Sequence, residues 1–363
     1  MALRDDRDLR GQPRAAGRRR WNRGPRATAW AAAGLLFAAA VLAPAAAAPP
    51  VDVIFDTDMG NDVDDALALG LLHALANRCE CRPLAVTISN DAPLAAPFTD
   101  AVNTFYGRGE IPIGTIRGGP PPVADRYLRL ARQEDDGRLR YPHDLESNAA
   151  APEATGLLRR ILAARPDGSV VVVQVGFSSN LARLLDSPPD AVSPLCGRDL
   201  VAAKVRLLSL MAGSFQPIDG KRHLEFNVVK DIPAARRVAE GWPTPVVWSG
   251  FEIGMAIPYP AASIERDYGY VTHHPLAEAY IAYRPPPHAR PTFDLTSVLQ
   301  AVRPDRGYFS LSEPGRVIVE ADGGTRFEPA ADGNHRFLLV SPEQAVRATE
   351  AFAILCSEPP RGP

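Results

Sequence analysis

Cysteine is scarce: four residues in a chain of 363, at positions 79, 81, 196 and 356. So few thiols in so long a chain exclude a small disulfide-stapled scaffold. Cys79-x-Cys81 is not a zinc spacing, and no Cys or His pair elsewhere completes one, so buried thiols or a single disulfide are expected. Spaced glycines of a dinucleotide fold, a Walker loop, a Ser-centred nucleophile elbow and Asn-x-Ser/Thr sites are also missing. No stripe of basic residues marks a nucleic-acid surface. The formal net charge of -2 conceals an asymmetry, because the first 48 residues hold nine arginines and three aspartates. Beyond them 31 basic side chains face 39 acidic ones, which leaves the body near -8.

Only one apolar run has a length that bears on membranes. Arg18, Arg19, Arg20, Arg23 and Arg26 precede the run from Ala29 to Val41, and Ala45-Ala46-Ala47 supplies the small residues that a signal peptidase needs. Gly34 and Pro44 interrupt it, and at ~15 to 20 residues it is short for a span. Residues 1–48 are therefore expected to be a signal peptide, with export to the periplasm or outside the cell. An uncleaved membrane anchor is the alternative. After cleavage no stable membrane insertion is expected.

The full chain is 46% hydrophobic and 23% charged, an ordinary globular composition, and 49–363 forms its body. Strand and helix signals alternate. Strands are read at Val51–Phe55, Leu84–Ile88, Val170–Val175, Val205–Leu210 and Thr244–Trp248. Helices are read at Val63–Ala76, Ala95–Tyr106, Glu153–Ala164, Ser179–Leu185 and Ala234–Glu240. Such alternation predicts an α/β fold with an open, mostly parallel Rossmann-like sheet covered on both faces. A Gly/Pro-rich, charged stretch from Ile116 to Ala151 is too long for a passive connection and reads as a lid or binding loop. From about 304 to 340 a small β-rich elaboration follows, with a hairpin around Gly323-Gly324. Ser341–Leu355 reads as a closing helix.

The strongest signal is Asp56-Thr57-Asp58-Met59-Gly60-Asn61-Asp62-Val63-Asp64-Asp65, five carboxylates in ten residues between a buried strand and a helix. In an open parallel sheet, ligands bind beyond the carboxyl ends of strands, where this cluster falls. Helix capping accounts for Asp64 and Asp65 but not for five acids. Like charges so close raise one another's pKa, and a hard divalent cation held by oxygens relieves them. An EF-hand needs Gly and Glu where this chain has Asn61 and Leu67. The haloacid-dehalogenase phosphatase pattern wants Thr or Val where this chain has Gly60.

The segment Asp56 to Leu69 closely resembles the metal-binding signature of the inosine–uridine-preferring nucleoside hydrolases, usually D-x-D-P-G followed by D-D-A. Further segments are similar in order: Val86–Asn90 (VTISN), Val172–Ala182 (VVQVGFSSNLA), Glu225-Phe226-Asn227 with Asp231 behind it, and Phe293-Asp294. The resemblance implies calcium-dependent hydrolysis of the N-glycosidic bond of ribonucleosides or related ribosides. By that resemblance Asp58, Asp65 and Asp294 hold Ca2+ through carboxylates and Val175 through its carbonyl. Asp58 is the general base, and Asp56 and Asp62 orient the cluster. Asp64, Asn90, Glu225 and Asn227 grip the ribose hydroxyls. A small-molecule nucleoside is the expected partner, nucleic acid is not, and homo-oligomers are common in that family. Two departures stand out: Met59 replaces the usual Pro, and Phe293 replaces the His that often stands near the leaving base. His143, His273 and His274 are the remaining candidates for the leaving-group acid. A calcium-dependent sugar- or nucleoside-binding protein without turnover, and a metal-dependent phosphatase, are the alternatives to a nucleosidase.

Overall fold

Two short apolar runs, β1 (Val51–Thr57) and Val170–Gln174, are buried nearly throughout and lie side by side in parallel register. The computed structural model describes residues 49–121 and 125–361, so the arginine-rich leader lies outside it. Side chains on these strands alternate between two cores. Val53, Phe55, Val171 and Val173 point to one face, and Ile54, Val170 and Val172 to the other. A strand wanted by both cores has no room for a polar face, which is why these runs read as continuous hydrophobic stretches.

With β2 (Cys81–Ile88), β3 (Ile113–Thr115), β4 (Val170–Gln174), β5 (Val205–Met211) and β6 (Val246–Ser249), the parallel sheet runs in the spatial order 3-2-1-4-5-6. This is the doubly wound arrangement expected from the sequence. The chain walks outward from β1 to β3, then returns to the other side of β1 with β4. The carboxyl ends of β1 and β4 therefore form the switch point, and the acidic cluster leaves from one of them.

The C-terminal segment does not stand apart from this sheet. Strands β7 (Gly315–Val319) and β8 (Thr325–Pro329) form the expected antiparallel hairpin, while β9 (His335–Leu339), unforeseen in the sequence, lies parallel to β6 and ties the hairpin to the sheet. Helices cover both faces. The helix Asp64–Asn77 is buried on every side, packed against β2 and against the helices Phe293–Val302 and Pro342–Cys356. A helix that is apolar all round must be enclosed in this way. The four cysteines are separate thiols, with Cys81 and Cys356 buried. Among the described residues no helix is long and apolar enough to cross a membrane.

Candidate active site

β1 runs two residues further than its apolar pattern suggests, so Asp56 and Thr57 are still in the sheet and Asp58 is the first residue past its end. The strand ends are pressed together at this point. A Cβ on Gly176 would lie 2.4 Å from the backbone nitrogen of Asp58, so no side chain fits there. Gly60, at φ +114°, then turns the chain toward the helix that begins at Asp64. Tyr127, from the long Gly/Pro-rich loop, fastens this turn: its hydroxyl accepts from Gly60 N at 2.8 Å and donates to Asp62 O at 2.7 Å.

Around that turn is a cavity of about 340 Å³. Its acidic wall holds Asp58, Asp62, Asp64, Asp65, Glu225 and Asp294, with Asn61, Asn227 and Val175 beside them. The rest of the lining is Phe226, Phe251, Phe293, Met255, Tyr283, Arg126 and Arg290. Three helix N-termini converge here, since Asp64 and Asp65 open one helix, Asp294 lies in the first turn of another and Glu225 caps a third. Carboxylates gain from that placement because helix N-termini carry partial positive charge.

One carboxylate oxygen each of Asp64, Asp65 and Asp294 lies within 4.8 Å of the others. Asp294 N donates to Asp64 Oδ2 at 3.1 Å, and Thr57 Oγ1 donates to Asp65. Asp58 Oδ2 is buried without a hydrogen-bond partner. Among the described residues no Lys or Arg pairs with any of these four acids. Burial pushes all four carboxyls upward: Asp65 to about 7, and Asp58, Asp64 and Asp294 well above the usual range, their charged neighbours adding to the effect. An oxygen-only donor set, buried, like-charged and with an orphaned oxygen, fits a hard divalent cation.

Glu225 and Asn227 line the cavity from the start of a short helix. Glu225 is extended and its carboxylate caps the helix Phe226–Lys230, accepting from Asn227 N at 2.8 Å and Val228 N at 3.1 Å, and from Gly213 N at 3.0 Å. Two of these donors are N–H groups of the helix's first turn, which no carbonyl within the helix can satisfy. Burial still raises this carboxyl to about 7. Asn227 Nδ2 donates to Val175 O at 2.8 Å and Met211 O at 3.3 Å.

The other sequence-derived positions lie elsewhere. Asp56 sits behind the cavity, where Thr87 Oγ1 and Asn180 Nδ2 donate to its Oδ2 at 2.6 and 2.8 Å, and burial raises it to about 7. Asn90 turns to the backbone, donating to Asp58 O at 3.3 Å and accepting from Ala92 N, and does not line the cavity. His143 bonds Tyr141 O, and His273 pairs with Glu278 at 2.7 Å. His274 is buried against Tyr270, and desolvation lowers it to about 3, which keeps it neutral. No imidazole lines the cavity among the described residues. Arg126, Tyr283, Arg290, Phe251 and Met255 had no signal in the sequence. Phe251 and Met255 share one short helix, while Arg126, Tyr283 and Arg290 come from three separate segments, and none belongs to a recognisable motif.

Known proteins resemble this arrangement closely in fold. A plant nucleoside hydrolase superposes with a TM-score of 0.63 at 20% identity, covering 86% of this chain and 100% of that one. An inosine-uridine preferring nucleoside hydrolase from Bacillus anthracis gives 0.63 at 17%, over 85% and 99%. An inosine-guanosine nucleoside hydrolase gives 0.62 at 20%, over 84% and 98%. No curated protein matches the chain at the sequence level. The family model for inosine-uridine preferring nucleoside hydrolases matches residues 53–344, nearly the whole described body. The phosphatase and turnover-free alternatives give way to that match, and the chain belongs to the inosine–uridine-preferring nucleoside hydrolase family, N-ribosyl hydrolases that cleave the N-glycosidic bond of nucleosides.

Proposed function

We propose that this enzyme hydrolyses ribonucleosides or closely related ribosides to free base and ribose, with calcium in the carboxylate cluster. The observation that carries the reading is the unpartnered, buried Oδ2 of Asp58 beside Asp64, Asp65 and Asp294. Asp58, Asp65, Asp294 and the Val175 carbonyl would hold the ion. When bound, it supplies the positive charge that keeps these carboxylates ionised and the Lewis acidity that polarises oxygen ligands.

The remaining chemistry falls to the side chains. Asp58, which lines the cavity among the proposed ligands, would act as general base on the attacking water, since a ligand carboxylate lies within hydrogen-bond reach of water held by the ion. Glu225 has three of its roughly four acceptor positions filled by backbone N–H groups, which leaves one for a ribose hydroxyl. Asn227 spends its amide nitrogen on the Val175 and Met211 carbonyls and offers its oxygen end. Asp64 completes the grip. Phe226, Phe251 and Phe293 give a planar base apolar faces to stack on. Export through residues 1–48 completes the proposal, and fractionation of cells making the full chain tests it.

Reducing-sugar release from paired ribonucleosides and 2′-deoxynucleosides, with calcium or EDTA, tests the chemistry. Release should need the ion and should favour ribose by about 10⁴-fold, since buried groups built to pair with hydroxyls are left unpaired by the deoxy sugar. Equal rates on both sugars would overturn the assignment of Glu225, Asn227 and Asp64.

A further inference from the structure

Charge changes sign between the floor of the cavity and its mouth. Asp58, Asp64, Asp65 and Asp294 are at most 4% exposed. Arg126 is exposed, and the side chain of Arg290 keeps 25% of its surface. Both guanidiniums rest against the ring of Tyr283, with Cζ atoms 4.8 and 5.1 Å from its centroid. Arg290 also lies 5.8 Å from the Phe293 ring.

The two arginines differ in how their charge is met. Arg290 donates through two nitrogens to Asp62, with Nε at 2.8 Å from Oδ1, so an acid of the cavity wall neutralises it. Arg126 makes no ion pair among the described residues. Stacking on an aromatic ring fixes the plane of a guanidinium and leaves its N–H edge open, the geometry that grips a phosphate or carboxylate with two parallel bonds. A neutral nucleoside offers such a group only uncharged acceptors, whereas an anion also meets its charge. On the floor, an anion would meet a wall of carboxylates. At the mouth, it would meet Arg126, with Arg290 next to it.

We propose that the natural substrate is an anionic riboside, one that carries a phosphate or carboxylate beyond the ribose ring, and that Arg126 pairs with that charge. The proposal rests on the reading above, in which the acid floor holds the ribose. Arg290 is the positioning residue, clamped by Asp62 and stacked on the same tyrosine. Both a 5′-phosphate and a carboxylate on the base lie beyond the sugar, and the chemistry of recognition is the same. The reaction is unchanged: the C1′–N bond breaks, the water oxygen ends on C1′, one proton goes to the departing base or to solvent, and the anion leaves unaltered.

Three ribosides with related bases separate the possibilities: uridine, uridine 5′-monophosphate and orotidine, which carries a carboxylate on its base. Their kcat/KM values and calorimetric dissociation constants are measured with the calcium-loaded wild type, Arg126→Gln and Arg126→Lys, at low and high salt. At least one anionic riboside should be favoured over uridine by tenfold or more, and which one identifies the position of the charge. That ratio should fall at least fivefold in Arg126→Gln and at high ionic strength, and should be partly kept in Arg126→Lys. Because each ratio is taken within one protein sample, a loss of folded protein cancels. If uridine is cleaved and neither anion is favoured, or the ratio survives Arg126→Gln, the inference is overturned while the hydrolase reading stands. If none of the three is cleaved, that reading fails and the dissociation constants alone decide the inference by the same criterion.

Discussion

Asp190 and Asp65 are the same residue type in opposite circumstances. Asp190 receives two nitrogens of Arg159 at 2.8 and 2.9 Å and two backbone N–H groups, and these partners hold its carboxyl well below the usual range. Asp65 is buried among other acids with Thr57 for company, and is pushed up to about 7. The first is an ion pair that closes a loop beside the helix Ala154–Ala163. The second is a charge that the fold does not balance with its own cations. Structure alone would select against the second arrangement, so its presence marks where the chain has been shaped for something it binds.

The largest expected difference between the two regions is in turnover. Asp58→Asn or Asp294→Asn should lower kcat/KM by about 10³-fold or more, while Arg159→Met should leave kcat/KM within a few-fold of wild type; steady-state assays on purified variants check both. Next comes stability without metal. Asp65→Asn removes a buried like charge, so in EDTA at pH 8 it should stabilise the protein by about 1–3 kcal/mol. It should also abolish most of the increase in Tm that calcium gives the wild type. Denaturant titrations measure the first effect and thermal scans the second. Arg159→Met should do the reverse, lowering Tm by a few degrees with the calcium response intact.

pH sharpens the contrast further. Asp56, Asp65 and Glu225 have folded-state pKa values of about 7, above their ordinary values of 3.8 to 4.5. Between about pH 4 and 7 the folded state therefore holds more protons than the unfolded one, and in EDTA stability should fall as pH rises through that window. At the proposed site, saturating calcium would displace the proton of Asp65, so its stabilisation should grow with pH over the same range. Thermal melts across pH, with and without calcium, give the answer, and a flat EDTA profile would show the acids to be balanced in some other way. The smallest effect belongs to Tyr127→Phe, which leaves Gly60 N and Asp62 O without their partner. It should cost about 1–2 kcal/mol in chemical denaturation and reduce turnover only a few-fold.

The sequence made the fold legible where burial writes itself into composition. β1 and β4 are wanted by both cores, so their apolar runs are continuous, and the acids after β1 stand out because capping explains only two of them. β3, three residues long, and β9, a short mixed run (HRFLL), have no periodicity to read. Glu225 and Asn227 were legible as a pair but not as a helix cap, because a motif names residues and not backbone angles. Asn90 shows the opposite limit: its place in the chain resembles a ribose contact, yet its amide is taken up by Asp58 O and Ala92 N. Arg126, Tyr283 and Arg290 could not have been found from local pattern, since only the closed fold brings them to one cavity.

The bond from Asp294 N to Asp64 Oδ2 joins residues 230 positions apart. During synthesis the acidic turn emerges early, and its last partner emerges only after most of the chain has been made. A nascent or truncated polypeptide that ends before Phe293 carries the signature motif but not the fourth carboxylate of the cluster. Closure of this corner of the cavity therefore waits until synthesis has reached residue 294, long after the acidic turn has been made.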